Sequence, residues 1–297
     1  MDIVVVGSIN MDYTTKVTEL PRRGETIMSK FFTTASGGKG ANQAVAASRL
    51  GADVFMVGAV GNDLAGQTLL KRLKDEGIDT KGIYKSDFPS GNAMITVDDN
   101  GSNTIVVYPG ANQSVSCEKV EAFANVLEGA KVVIVQLEIP LDTVEYTIKR
   151  ANEMGTKVIL NPAPAATLPN ELYKSVDIIT PNETELESLT GISDIEKGAK
   201  TLLDLGVKKV LVTLGSKGCF YMDDNESFYM EPFKVKAVDT TAAGDSFNGA
   251  LAVAMVEGMG IKEGIRFANG VGGLTTTKLG AQDSLPYREE VDKMLKD

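Results

Sequence analysis

The sequence contains no histidine and no tryptophan, and it has only two cysteines among 297 residues. Without histidine, a Ser-His-Asp triad, an H-E-x-x-H zinc protease and a zinc deaminase are all excluded. Acid–base chemistry must therefore come from Asp, Glu, Lys, Tyr or Cys. Any bound metal is expected to be a hard, oxygen-ligated cation such as Mg²⁺ or K⁺ rather than zinc.

A surplus of positive charge is also missing. The net charge is −10 and the pI is about 4.8, so electrostatics gives no support to nucleic-acid binding. The longest apolar runs have the length of a strand, so no transmembrane helix is expected. Residues 2–7 carry an early acid and are too short for a secretory signal. Cys117 and Cys219 fit neither a metal spacing nor a disulfide framework, which favours a reducing, cytoplasmic location.

What the sequence does contain is an alternation of strand and helix patterns. Strands are predicted at 3–6, 54–60, 132–136, 158–160, 177–180 and 210–213, and helices at 64–76, 142–153, 183–189, 195–205 and 245–258. This alternation predicts an α/β fold with three layers, in which a central, mostly parallel sheet is covered on both faces. No repeat or linker divides the chain, so residues 1–297 are expected to form a single domain.

Two regions interrupt the alternation. Residues 13–34 are rich in Thr and Lys, and residues 92–108 hold two strand-like runs around the D-D-N-G sequence at 98–101. The Asn-Gly pair is a strong hairpin signal. Because these strands have no helix between them, we expect a small β-sheet that stands off the main domain. Such a sheet could serve as a lid that excludes water from an active site, and the simpler alternative is a decorative hairpin.

Polar clusters follow several predicted strands. They are G-S-I-N-M-D at 7–12, Q-L-E at 136–138, N-P-A-P at 161–164, T-P-N-E-T-E at 180–185 and T-L-G-S-K-G at 213–218. Ligands of open α/β sheets bind beyond the carboxyl ends of the strands. Any strand end needs turn residues, but the coincidence of these clusters at one rim indicates a site.

The most informative sequence is V-D-T-T-A-A-G-D-S-F-N-G-A at 238–250. Small residues and a glycine precede Asp245, which opens a predicted helix. Free N–H groups at a helix N-terminus attract phosphate oxygens, and small residues let the backbone approach them closely. A carboxylate at this place is explained if it takes the proton from an attacking hydroxyl. The alternative is an ordinary Asp that suits the helix dipole.

A second glycine-rich sequence, S-G-G-K-G-A-N-Q-A at 36–44, also opens a helix. It does not satisfy G-x-x-x-x-G-K-[ST], and no G-x-G-x-x-G follows the first strand, so neither of these nucleotide-binding mechanisms is supported. Lys39 and Asn42 could hold a sugar hydroxyl or an anion. The alternative is a glycine-rich turn with a solvated lysine.

Together these sequences resemble the PfkB carbohydrate kinases, also called the ribokinase family, from residue 4 to about residue 286. The runs G-G-K-G-A-N at 37–42 and D-T-T-A-A-G-D at 239–245 carry the resemblance. The strand-end clusters, together with P-G-A-N at 109–112, are most similar to members that phosphorylate ribose. The resemblance implies a ribokinase-like fold and the ATP-dependent phosphorylation of D-ribose at O5 to ribose 5-phosphate.

The resemblance also implies roles for matching residues. Asp245 would deprotonate the 5-hydroxyl, and Ala242, Ala243 and Gly244 would donate N–H groups to the transferred phosphate. The sugar would be held by Asn10, Asp12, Gly38, Lys39, Asn42 and Glu138. The ATP site would be lined by Asn182, Thr213, Gly215, Ser216, Gly218, Gly244 and Asn269. Glu185 would act on Mg²⁺ through water, as suits an ion that keeps much of its hydration shell.

Members of this family are activated by a monovalent cation, usually K⁺. The matching positions are Asp239 and Thr241, the carbonyls of Thr275, Lys278 and Gly280, and Ser284. The ion would shape the 239–244 loop, whereas the simpler reading is that Asp239 caps a turn. The resemblance further implies a homodimer formed through the lid.

Two alternatives stay open at this point. One is a kinase of the same family for another acceptor. Tyr13 and Phe88 could form a slot for a nucleoside base, and Arg22, Arg23 and Lys30 could bind a sugar phosphate. The other is a non-catalytic sugar sensor, which the intact Asp245 motif disfavours.

Overall fold

The computed structural model describes residues 1–296 and places their strands in two sheets. The strands are β1 (Ile3–Val6), β2 (Asn10–Lys16), β3 (Phe31–Gly37), β4 (Val54–Gly61), β5 (Asp79–Ser86), β6 (Gly91–Val97), β7 (Asn103–Tyr108), β8 (Val132–Val135), β9 (Lys157–Leu160), β10 (Ile178–Ile179), β11 (Val210–Thr213), β12 (Cys219–Met222) and β13 (Ser227–Met230).

The larger sheet has the strand order β13-β12-β11-β10-β9-β8-β1-β4-β5. The strands from β11 to β5 in this order pair in parallel, and β12 and β13 close one edge as an antiparallel hairpin. This hairpin needs no helix because an antiparallel pair can follow β11 through a short turn. The chain leaves β1 toward β4 on one side and returns to β8 on the other, so the strand order reverses at β1.

Helices cover both faces of this sheet. They are α1 (Lys39–Arg49), α2 (Leu64–Asp75), α3 (Cys117–Glu121), α4 (Ala124–Glu128), α5 (Leu141–Glu153), α6 (Glu183–Thr190), α7 (Ile195–Asp204), α8 (Ala243–Val256), α9 (Ile261–Thr275) and α10 (Arg288–Lys296). Side chains of β1 alternate between two cores: Ile3 and Val5 pack with residues of α1, α2, α8, α9 and α10, while Val4 and Val6 pack with those of α3 to α7. The predicted three-layer α/β architecture is confirmed.

The smaller sheet has the order β3-β2-β6-β7. The pairs β2–β3 and β6–β7 are antiparallel, and β2 pairs with β6 in parallel. Its strands begin at Asn10 and Gly91, before the predicted segments 13–34 and 92–108; β3 ends three residues after the first segment, and β7 ends with the second. Asn10 and Asp12 therefore lie on the small sheet itself. Every residue of β7, an edge strand, is exposed.

Several predicted elements agree with the structure to within a few residues. β1 and β11 have the predicted bounds, and α8 begins at Ala243, two residues before the predicted start. Strands β5, β12 and β13 and helices α3, α4, α9 and α10 were not predicted. Within residues 1–296, no helix is both long and apolar enough to cross a membrane.

Candidate active site

The predicted clusters meet at one rim of the main sheet because the parallel strands before them end there. Ser8, after β1, donates from Oγ to Oε2 of Glu138, after β8, at 2.5 Å. β1 and β8 are neighbouring strands, and the strand order reverses between them. Open α/β sheets bind ligands at such a point. Ser8 is fully buried and also accepts from the N–H of Gly40 at 3.4 Å.

Lys39 stands among four carboxylates beside this rim. Its Nζ lies 3.9 Å from Oε1 of Glu138. Burial lowers the pKa of Lys39, but the charges of Asp245, Glu138, Glu185 and Asp12 outweigh burial and raise that pKa above its usual value. Lys39 is therefore a firmly protonated donor. It shares its surroundings with carboxylates that accept hydrogen bonds, as recognition of a polyol requires.

Asp12 is the carboxyl that the fold disfavours most in its charged form. Burial, followed by the charges of Glu138 and Asp245, raises the pKa of Asp12 to about 7 against the opposing effect of Lys39. Its carboxylate lies over Gly37, where an added Cβ would be 2.3 Å from Oδ2. Within residues 1–296 it accepts no hydrogen bond. A partly buried carboxylate without a protein donor is suited to accept one from a ligand.

Asp245 is buried and its carboxylate is fixed by two amides of α1. Nδ2 of Asn42 donates to Oδ2 at 2.8 Å, and Nε2 of Gln43 donates to Oδ1 at 3.3 Å. Gln43 also donates to Asn161 at 3.0 Å and accepts from Gln136 at 2.6 Å. Asp245 is thus held in one orientation by a buried network that links α1, α8 and the ends of two strands.

The start of α8 is a set of free N–H groups. Ala242 has φ 60°, and among residues 1–296 it is the one non-glycine residue in this left-handed conformation. Such backbone strain concentrates at functional sites. The N–H of Ala243 donates to Thr240 at 3.3 Å, whereas those of Ala242, Gly244 and Asp245 have no acceptor in the described chain. Of the three predicted phosphate donors, Ala242 and Gly244 are therefore free.

A cleft of about 630 Å³ opens on the other side of this helix start. All seven residues predicted for the ATP site line it: Asn182, Thr213, Gly215, Ser216, Gly218, Gly244 and Asn269. The walls also include Phe233, Val235 and Phe247, which were not predicted. Gly244 lines the cleft while the adjacent Asp245 faces Asn42 and Gln43. The base candidate therefore stands between the cleft and the carboxylates around Lys39.

Glu185 and Asn182 form a capping box at the start of α6. The N–H of Asn182 donates to Oε2 of Glu185 at 2.9 Å, and the N–H of Glu185 donates to Oδ1 of Asn182 at 2.8 Å. Burial raises the pKa of Glu185, with Asp245 acting in the same direction and the Asn182 N–H and Lys39 in the opposite one. Oε1 of Glu185 makes no protein hydrogen bond within residues 1–296.

Asp239 links the loop before α8 to the segment after α9. Oδ1 accepts from the N–H and the hydroxyl of Thr241 at 2.9 and 2.7 Å, and Oδ2 accepts from the N–H of Gly280 at 2.9 Å. The structure thus joins three of the six residues predicted for the K⁺ site. Of the other three, the carbonyl of Thr275 accepts from the N–H of Lys278 at 3.5 Å, and the hydroxyl of Ser284 donates to the carbonyl of Ala281 at 2.8 Å.

Most of the site residues that the sequence analysis did not predict are hydrogen-bonded to predicted ones. Gln43 and Asn112 occurred in quoted motifs without a role, and Ser8 occurred in the 7–12 cluster. Gln43 and Ser8 could have been noticed as polar side chains close in sequence to the predicted ligands Asn42 and Asn10, whereas Asn112 has no predicted ligand near it in the sequence. Phe233 and Val235 carried no signal, since they lie in an irregular segment between β13 and α8.

Comparison with known proteins places these features in a family. The sequence profile of the pfkB family of carbohydrate kinases matches residues 1–288. The chain is 42% identical to a ribokinase of Haemophilus influenzae, over 99% of this chain and 98% of that protein. It is 36% identical to a deoxyribokinase of Salmonella typhi, over 99% of both. The structure of an Arabidopsis thaliana ribokinase complexed with ribose and ATP superposes with a TM-score of 0.92 at 36% identity, covering 100% of this chain and 99% of that one.

Proposed function

The chain belongs to the pfkB family of carbohydrate kinases, and from this premise we propose that it transfers the γ-phosphate of ATP to O5 of D-ribose. The observation that carries the proposal is the position of Asp245. This carboxylate stands between the cleft and the polar cluster around Lys39, and two amides orient it. The reaction yields ADP and ribose 5-phosphate. It takes place in the cytoplasm, where ATP is present and the free thiols of Cys117 and Cys219 stay reduced.

Asp245 acts as the general base. It takes the proton from the 5-hydroxyl as O5 attacks the γ-phosphorus, so the nucleophile gains charge only as the bond to phosphorus forms. The free N–H groups of Ala242 and Gly244 face the charge that develops on the transferred group, and Ala243 completes this turn. Asn42 presents its buried Oδ1, which has no hydrogen-bond partner within residues 1–296, as an acceptor for a sugar hydroxyl.

The charges in the polar cluster favour a neutral acceptor. Four carboxylates surround the single lysine whose pKa they raise, so a phosphate on the acceptor would meet repulsion. The cations considered for a sugar phosphate lie elsewhere: Arg22 and Arg23 are exposed, and Lys30 pairs with Asp99 at 2.5 Å. Asp12 and Glu138 accept hydrogen bonds from a neutral pentose, and Asn10 and Lys39 donate to it. The sugar lies beside the close backbone turn at Gly38.

The aromatic residues considered for a nucleoside acceptor do not face this cluster. Tyr13 follows Asp12 on β2, and successive side chains of a strand point to opposite faces. Tyr13 stacks on Phe32 at 6.3 Å between ring centroids on that other face, and Phe88 is 56% exposed. The apolar walls of Phe233, Val235 and Phe247 belong instead to the cleft, where they suit the adenine of ATP.

The residues present fit the expected cations. Glu185 has one oxygen held by the α6 cap and one without a protein partner, which suits a carboxylate that contacts Mg²⁺ through water. Asp239, Thr241 and Gly280, which hydrogen bonds join, would hold K⁺ through oxygen atoms together with the carbonyls of Thr275 and Lys278 and the hydroxyl of Ser284. Mg²⁺ held through Glu185 would neutralise charge on the phosphates, and K⁺ held at Asp239 would fix the loop that ends in the free N–H groups.

The small sheet serves as the lid and as the dimer contact. Edge strand β7 exposes Ile105, Val106 and Val107, which are 55, 65 and 50% accessible. A contiguous apolar surface on an edge strand is typical of an interface, because it would otherwise promote aggregation. A second copy of the chain that covers this sheet would also hold it over the acceptor.

Replacing Asp245 by asparagine tests the proposal. The Asp245→Asn enzyme is expected to fold and to bind ATP, because Asp245 does not line the cleft. Turnover of ribose should fall by about 10²- to 10⁴-fold, the usual contribution of a general base. The matched control is Asp204→Asn, an exposed carboxylate that pairs with Lys200, which should leave turnover unchanged. Near-normal turnover in Asp245→Asn would refute the assignment.

A further inference from the structure

The chain crosses between the two sheets four times, and the crossings converge on one pair of asparagines. Asn10 lies at the entry to β2, and Asn112 lies in the turn that follows β7. Gly91, at the start of β6, packs over the pair, since an added Cβ would lie 2.3 Å from both Oδ1 of Asn10 and Nδ2 of Asn112. Gly38, after β3, packs against it too, since its Cβ would lie 2.6 Å from the N atom of Asn10. Asn112 is 1% exposed.

The orientation of the Asn112 amide is imposed by the backbone. The N–H of Ile9 donates to Oδ1 of Asn112 at 2.9 Å, and Nδ2 of Asn112 donates to the carbonyl of Ile9 at 3.3 Å. A backbone N–H can only donate and a carbonyl can only accept, so the two ends of this amide cannot be exchanged. Nδ2 must therefore be the atom that faces Asn10.

This fixed donor determines which end of Asn10 meets a ligand. Nδ2 of Asn112 donates to Oδ1 of Asn10 at 2.7 Å. The oxygen of Asn10 is thereby occupied, and its NH₂ group, which has no acceptor within residues 1–296, is left for the acceptor site. Asn10 thus contributes a donor to a site whose carboxylates, Asp12 and Glu138, contribute acceptors.

We propose that Asn112 is a positioning residue for acceptor recognition, which acts through Asn10. It holds the Asn10 amide with its NH₂ group toward the sugar, and it ties this orientation to the junction of the small sheet. A sugar hydroxyl oxygen at this point accepts a hydrogen bond rather than donating one. The inference rests on the proposed function only in taking ribose as the acceptor.

The test is a double-mutant cycle of Asn112→Asp and Asn10→Ala, with the KM for ribose as the readout. Asp at 112 keeps the acceptor for Ile9 N–H but places an oxygen against Oδ1 of Asn10, so the Asn10 amide must turn. Asn112→Asp alone should raise the KM for ribose about tenfold or more and change the KM for ATP less than about twofold. In the Asn10→Ala background the same substitution should change the KM for ribose less than about twofold, because no amide is left to turn.

Equal effects of Asn112→Asp in both backgrounds would overturn the proposal, since a merely structural role does not depend on Asn10. Asn125→Asp, on the exposed surface of α4, is the matched control for the added charge and should leave both KM values unchanged. If Asn112→Asp does not fold, Asn112→Ser is carried through the same cycle with the same expectations.

Hydrogen exchange at Ile9 separates this inference from the proposed function, because it needs no substrate. The Ile9 amide should exchange about tenfold faster or more in Asn112→Ala than in the wild-type chain, since its acceptor is removed. Unchanged exchange would overturn the inference even if ribose is the substrate. If the wild-type enzyme does not phosphorylate ribose, the proposed function fails, and the cycle is measured with the acceptor that the enzyme does use.

Discussion

Asp12 should make the folded protein less stable as the pH rises, and Asp12→Asn should remove this effect. Burial and the charges of Glu138 and Asp245 raise the pKa of Asp12 to about 7, although Lys39 opposes them. In the unfolded chain the same carboxyl has its ordinary pKa of about 3.9. Between these two values the folded state binds more protons than the unfolded state, so the free energy of unfolding must fall as the pH rises.

The size of the effect follows from the shift. Each pH unit below the folded-state pKa adds about 1.4 kcal/mol to the free energy of unfolding, down to the unfolded-state pKa. Between about pH 5.5 and pH 8.5 the wild-type chain should therefore lose about 2 kcal/mol of stability through Asp12, and the loss should be complete by about pH 8. The Asp12→Asn chain has no ionisable group at this position. The free energy of unfolding of Asp12→Asn should therefore rise relative to that of the wild type by about 2 kcal/mol over this range.

Urea unfolding of both chains at about pH 5.5 and pH 8.5 measures this difference, with other titrating groups cancelling between the two chains. Asp204→Asn, an exposed carboxylate on α7, is the control and should give a curve parallel to the wild type. If Asp12→Asn also runs parallel to the wild type, the account of Asp12 as a carboxylate held at an energetic cost for ligand binding is wrong. The same variant should bind ribose more weakly, because an acceptor of a sugar hydroxyl is lost.

Three further predictions concern the surroundings of the site. Gly38→Ala should destabilise the chain by more than Gly258→Ala in urea unfolding, because both glycines have positive φ but only a Cβ at Gly38 meets backbone, at 2.6 Å from Asn10 N; equal losses would contradict the close approach. Asp239→Asn should reduce the ratio of activity in K⁺ to activity in Na⁺ toward one, because the substitution removes a carboxylate oxygen from the loop; an unchanged ratio would show that the ion binds elsewhere. If the proposed dimer forms through β7, Val106→Lys should convert it to a monomer in sedimentation velocity, whereas Leu64→Lys, at another exposed apolar residue, should not; a dimer that Val106→Lys leaves intact would place the contact on another surface.

The main sheet could be predicted from the sequence because its strands are short apolar runs separated by helical patterns. β1 is apolar at every position since it is buried on both faces, which is typical of a parallel strand. β5 was not predicted, for the opposite reason. It is an edge strand with the sequence D-T-K-G-I-Y-K-S and only Gly82 and Ser86 buried, so its apolar signal is weak.

The candidate site could be predicted where one local motif carries it, as at 37–42 and 239–245. The structure adds what connects motifs that are distant in sequence. Asn112 reaches Asn10 across 102 positions and Gln43 reaches Asp245 across 202. No periodicity or spacing reports such contacts. The small sheet shows the same limit, since its β2–β6 pairing joins two segments that are distant in sequence, and only the hairpin within 92–108 had a turn signal in the sequence.

The central claim is the phosphorylation of ribose, and the most direct test is the release of ADP from MgATP with a panel of acceptors. The panel contains ribose, 2-deoxyribose, fructose, fructose 6-phosphate, adenosine and uridine, each in K⁺ and in Na⁺. The account predicts strong turnover with ribose that K⁺ stimulates, and little with fructose 6-phosphate, which the four carboxylates around Lys39 repel. Turnover with a nucleoside or a sugar phosphate in place of ribose, or no turnover with any acceptor, would contradict it.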